Sequence, residues 1–148
     1  MSNNWTAVSI LASTLALSAC GLGSPVLRAA DGKLAACPPA PHCVSSLATG
    51  EQQVAPLRYT GAAAAARERL ARSIAGLPRY AVLRNEGDYL YASYTSPLMR
   101  YVDDLEFVFS QSEPGRIEVR SSSRIGYYDF GANRAHVEQL RAAFKASP

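Results

Sequence analysis

The sequence predicts an α+β domain, an antiparallel four-stranded sheet with two helices packed on one face. Three observations carry that expectation. Ala63, Ala66, Leu70, Ile74 and Leu77 recur at spacings of three and four, the period of a helix with one buried stripe. Residues 80–123 hold strand-forming runs separated by turn residues, and two of those runs alternate apolar with polar side chains. Val137, Leu140 and Phe144 then restore the helical period near the end of the chain.

Taken in order, the chain begins with a charge-free apolar run over residues 5–19, shorter than the ~20 residues needed to cross a bilayer but fitting the core of an export signal. It ends in Leu17-Ser18-Ala19-Cys20-Gly21, which looks like a bacterial lipobox. Residues 1–19 are therefore expected to be a lipoprotein signal peptide, with Cys20 the lipidated first residue of the mature chain. Several acyl chains on one residue anchor durably where a single chain binds marginally. Met1 to Asn4 lack the usual basic residue, and Gly21 after the cysteine implies forwarding to the outer membrane. Residues 20–36 mix Gly, Pro, Ala and scattered charge without a period, and read as a tether.

A single domain is expected over residues 37–148. It opens with CPPAPHC, residues 37–43. With Cys20 consumed by lipid, Cys37 and Cys43 are an even pair in an oxidising compartment, and three prolines stiffen the turn between them. A disulfide closing so short a loop stabilises by roughly 2 kcal/mol. The competing reading is a metal site of Cys37, His42 and Cys43 completed by His136, but adjacent His42 and Cys43 start a tetrahedral shell awkwardly. A redox-active pair is a third reading, against which the spacing is not Cys-x-x-Cys.

Thr60 is placed to cap the first helix, which Gly76 and Pro78 stop, and Glu68 lies four residues ahead of Arg72. Strands follow around 80–83 and 89–95, joined by the turn at 85–88. In the next, Leu105, Phe107 and Phe109 share one face and Asp104 and Glu106 the other; after the turn at 113–115, Ile117 and Val119 face the core. If Phe107 pairs with Val119, the same register sets Glu106 beside Arg120 and Asp104 near Ser122. The final helix, about 131–146, carries a possible Arg134–Glu138 pair, with Asp129 or Asn133 to cap it and His136 at the edge of its buried stripe.

Composition narrows function. Hydrophobic content of 48% and charge of 18% suit a globular domain, and a net charge of +3 with interleaved signs gives no reason to expect nucleic acid. Thirteen of the fifteen basic residues are Arg, suited to planar pairing with carboxylates. The candidate ligand-binding residues are Asp103, Asp104, Glu106, Arg120, Arg124, Asp129, Asn133 and Arg134. The carboxylates suit acid and base work or a hard cation; the arginines suit an anion, or simply the carboxylates. Ser121, Ser122 and Ser123 lack the Gly-x-Ser-x-Gly setting or a neighbouring histidine expected of a nucleophile.

Four segments, CPPAPHCVSS (37–46), DDLEF (103–107), RSSSRIG (120–126) and DFGANR (129–134), together resemble the bacterial and plastid family named domain of unknown function 1499. Their order covers nearly all of the chain after the tether. Two positions depart: His42 stands where that family usually has Asn, and His136 where it often has Arg. The resemblance implies no reaction.

The first expectation is a noncatalytic lipoprotein of the bacterial cell envelope, held at the outer membrane facing the periplasm, with the Arg/Asp/Glu cluster serving binding or structure. An anionic small molecule or a protein would be its partner besides the membrane; no cofactor is implied and no metal is the primary expectation. The alternatives are an envelope hydrolase using Asp103, Asp104 or Glu106, and a calcium-binding module.

Overall fold

The computed structural model describes residues 25–147. Cys20 and the apolar run before it lie outside the described residues. The fold is mixed α+β, but the sheet has six strands where four were expected. They are β1 (Cys43–Ser45), β2 (Leu57–Arg58), β3 (Tyr80–Glu86), β4 (Tyr89–Thr95), β5 (Val102–Phe109) and β6 (Arg116–Ser123); the helices are α1 (Ala63–Ala75) and α2 (Ala132–Ala146).

The strand order is β1-β6-β5-β4-β3, all antiparallel, and β2 shares the outer edge of β6 with β1. The two unforeseen strands have three and two residues, too few to show alternation. Their role is topological, since without them the long strand β6 would present unpaired backbone groups at an edge. β3 pairs with β4 through a register shift between Val82 and Arg84 that turns Leu83 outward.

Register decides what each face carries. Phe107 lies opposite Val119, Leu105 opposite Ser121 and Ala92, and Leu90 opposite Phe107, so the apolar sets align on one face. Against that face pack Ala66, Leu70 and Ile74 of α1 and Val137, Leu140 and Phe144 of α2, all buried in one cluster. Fully burying a Leu, Ile or Phe side chain is worth about 1.5–3 kcal/mol, so this two-layer core is the main source of stability.

Both helix starts differ from expectation in detail. Thr60 does not cap α1, whose N-cap is Ala62 without a side-chain bond. At α2 the N-cap is Gly131, with the left-handed φ of 81° that glycine tolerates, and Asp129 accepts the N–H groups of Gly131 and Asn133 at 2.8 and 3.1 Å. Neither expected helical ion pair forms: Glu68 bonds Arg67 and Asn85, and Glu138 pairs with Arg141.

Cys37 and Cys43 form a disulfide with Cα atoms 5.6 Å apart, which leaves no thiolate for metal. The His42 carbonyl next to it accepts the Ser123 N–H at 3.0 Å, pinning the cysteine loop to the end of β6. Residues 25–36, within the stretch read as a tether, lie across the sheet face opposite the helices. Ala29 and Lys33 close a turn there, and Leu34 is buried.

Candidate functional site

Strand alternation splits the acidic run. Asp104 and Glu106 project from the face away from the helices, while Asp103 projects toward them, so the three carboxylates do not converge on a common point. No cluster of His, Cys, Asp and Glu suited to a metal ion occurs among the described residues. The calcium alternative therefore loses its geometry.

On the outer face every charge has a partner. Glu106, with no exposed surface, accepts the Tyr89 hydroxyl at 2.7 Å and the Arg28 backbone N–H at 2.6 Å on Oε1, and Arg120 Nη1 at 3.3 Å on Oε2. Arg120 also donates to the Val26 carbonyl at 3.0 Å. Asp104 takes a two-pronged bond from Arg124, Nε to Oδ2 and Nη2 to Oδ1 at 2.9 Å each, and the Tyr91 hydroxyl at 2.6 Å. Arg28 reaches on to Asp88 at 2.8 Å, its guanidinium 5.1 Å from the Tyr89 ring. The ion pairs envisaged on an exposed face are thus buried beneath residues 25–36.

This enclosure shifts the titrating groups. Burial, then the bond to Glu106 and its negative charge, raises the Tyr89 phenol far above its usual range. Burial, then the bond to Asp104, pushes Tyr91 up to about 12. The bond from Asp104 raises Arg124, locking it as a cation. With its carboxylate oxygens matched, and Arg120 Nε its one buried donor without a partner among the described residues, the cluster works as a polar clamp joining β4, β5, β6 and residues 25–28.

The remaining candidates lie elsewhere. Asn133, fully buried, is a hub: its amide donates to the His42 carbonyl, Ser123 Oγ and Asp129 Oδ2, while Oδ1 accepts from Ser121 Oγ at 2.6 Å. It ties the cysteine loop before β1 to β6 and α2. Burial would raise Asp129, but bonds from the Asn133 side chain and from the Gly131 and Asn133 N–H groups overcome this and hold it below its ordinary value. Arg134 meets no carboxylate among the described residues; it donates to the carbonyls of Gln53 and Glu51.

An opening with unspent polar capacity lies at the end of the sheet where β3 and β5 begin. A cleft of about 440 Å³ lies there between loops 96–101 and 124–131, lined by Tyr94, Tyr101, Ile125, Tyr128 and Phe130 around Asp103 and His136. Asp103 Oδ2 lies 3.1 Å from His136 Nε2, and His136 Nδ1 lies 2.8 Å from the Tyr80 hydroxyl, which donates to Gln139 Oε1 at 2.9 Å. The His136 ring stacks on Tyr94 with centroids 4.2 Å apart. Asp103 Oδ1 has no hydrogen-bond partner among the described residues, and its carboxylate forms part of the cleft floor.

Backbone conformation singles out the same end. The three non-glycine residues with left-handed φ among the described residues are Arg79 (68°), Arg100 (57°) and Phe130 (55°), preceding β3, β5 and α2. Each costs of order 1 kcal/mol, and such strain concentrates where the chain presents functional groups. Sequence reasoning reached Asp103 but missed Tyr80, Tyr94, Tyr101 and the role of His136. The usable signal was the register, which aligns Asp103 with Tyr94 and Tyr94 with Tyr80 on the helix side.

The protein family described as of unknown function (DUF1499) matches residues 33–144. No curated protein matches the chain.

Proposed function

We propose that this chain, which belongs to the DUF1499 family of proteins of unknown function, is a noncatalytic lipoprotein of the bacterial cell envelope that holds a small ligand in the cleft above Asp103. The lipobox-like Leu17-Ser18-Ala19-Cys20 supports anchoring at Cys20, and Gly21 supports placement at the outer membrane facing the periplasm. The observation carrying the binding site is the half-engaged Asp103 carboxylate at the floor of an aromatic-walled cleft.

The chemistry of that floor supports one ligand class. A carboxylate with one oxygen held by His136 and the other open suits a cationic hydrogen-bond donor, and tyrosine and phenylalanine walls suit an aromatic or apolar body attached to it. The arginines once considered for an anion are occupied by Glu106, Asp104 and backbone carbonyls.

Calorimetric titration with phenethylamine, against 3-phenylpropionate as a matched anion, tests the reading. The amine is expected to bind and the acid not, and Asp103→Asn to weaken the amine at least about tenfold, a charge-assisted bond of roughly 1.4 kcal/mol or more. Equal binding of amine and acid, or binding that survives Asp103→Asn, refutes it.

A further inference from the structure

We propose that the cleft end of the domain, loops 96–101 and 124–131, docks onto the lipid bilayer to which Cys20 anchors the chain; the inference rests on the lipoprotein reading above. The surface is of the right kind. Leu98, Met99, Tyr101, Tyr127, Tyr128 and Phe130 all lie in these two loops with large exposure, reaching 86% for Leu98 and 90% for Phe130. An apolar patch of this kind on one end of a small domain marks an interaction surface, and Tyr and Phe are side chains that settle at the bilayer interface.

Chain direction says what covers it. Residues 28 and 31–34 lie toward Val108 and Ser110–Ser112, at the far end of β5, whereas Val26 borders Ser122, Ser123 and Arg124, at the foot of the 124–131 loop. Val26, whose carbonyl accepts from Arg120 in the middle of β6, thus lies nearer the cleft end than residues 28 and 31–34 do. Cys20 precedes Pro25 by five residues, a link of at most about 17 Å fully extended, shorter than the ~26 Å length of an eight-residue strand such as β5. An acylated Cys20 on so short a link brings the cleft end, rather than the far end, against the lipid.

Charge agrees with this orientation. Arg79 and Arg100, each beside a loop or strand start at this end, are exposed and form no ion pair with a described residue. They are placed to meet anionic headgroups while the aromatic side chains enter the interface. The cleft mouth then opens at the level of the headgroups.

The test uses full-length protein extracted with its native acylation and reconstituted on vesicles of phosphatidylethanolamine and phosphatidylglycerol. Trp5 is the sole tryptophan and precedes Cys20, so the processed protein carries none, and Phe130→Trp or Ser112→Trp places one reporter at either end. Flotation with the vesicles reads the anchor, and quenching by brominated lipid reads the docking. Phe130→Trp is expected to blue-shift and to be quenched at least about twofold more than Ser112→Trp. Protein that floats with Phe130→Trp unquenched, or with both positions quenched equally, overturns the docking and leaves the anchor standing. Protein that does not float overturns the anchor, and the docking with it.

Discussion

Replacing Glu106 by Gln probes the polar clamp most directly. The side chain keeps its shape, so Oε1 still accepts from Tyr89 and from the Arg28 N–H, but the group facing Arg120 becomes a donor set against a donor. Arg120 is 2% exposed, and Glu106 is its only anionic partner among the described residues. Removing one member of a buried pair costs about 3–5 kcal/mol because the survivor is left charged and uncompensated. At a urea dependence of about 2 kcal/mol per molar, the unfolding midpoint is expected to fall by roughly 1.5–2.5 M, read by circular dichroism with the disulfide intact. Adding Arg120→Met removes the stranded charge and is expected to restore much of the loss, which a merely structural cavity would not do. Glu113→Gln, in the exposed pair with Arg58, serves as the control and is expected to leave the midpoint in place. A Glu106→Gln midpoint within about 0.5 M of wild type would refute the claim that this pair is desolvated.

Two pH experiments test the other polar networks. The Asp129 carboxyl is held below its ordinary 3.8, so its stabilising contribution is present above that value and is lost as pH falls through the lower folded one. Asp129→Asn is expected to cost about 1 kcal/mol near neutrality, as a lost helix-start acceptor does, and to flatten the acid limb below about pH 4; an unchanged limb counts against it. Tyr80, Tyr89 and Tyr91 are raised, chiefly by burial, so their contribution is present below the unfolded value of about 10 and is lost as pH climbs toward the folded ones. Their share of the tyrosinate absorbance should appear only with alkaline unfolding and shrink in Tyr89→Phe. A complete tyrosine signal developed before unfolding would contradict the burial argument.

The polar clamp also explains why residues 25–36 are placed as they are. Glu106 and Arg120 would be costly on a sheet face closed by apolar groups alone, and here backbone atoms of Val26 and Arg28 supply a hydrogen bond to each. Arg28 adds a pair to Asp88 at the far turn. A segment without regular structure is thereby part of the packed domain.

What the sequence determined by itself was set by local period and composition. Helical spacing marked α1 and α2, alternation marked β5 and β6 with Phe107 opposite Val119, and an even cysteine pair around three prolines marked the disulfide. Those features lie within one element or one turn, where side-chain direction follows from residue number. The tertiary structure alone decided the rest. β1 and β2 are too short to carry a period and exist because β6 needs edge partners. Residues 25–36 have no pattern that announces a docking face, because their hydrogen bonds go to side chains 78 and 94 positions away. Asp103 and Asp104, adjacent in sequence and alike in chemistry, became a half-open cleft carboxylate and a fully chelated one, because the pleat sends neighbours to opposite faces and only packing determines what waits on each.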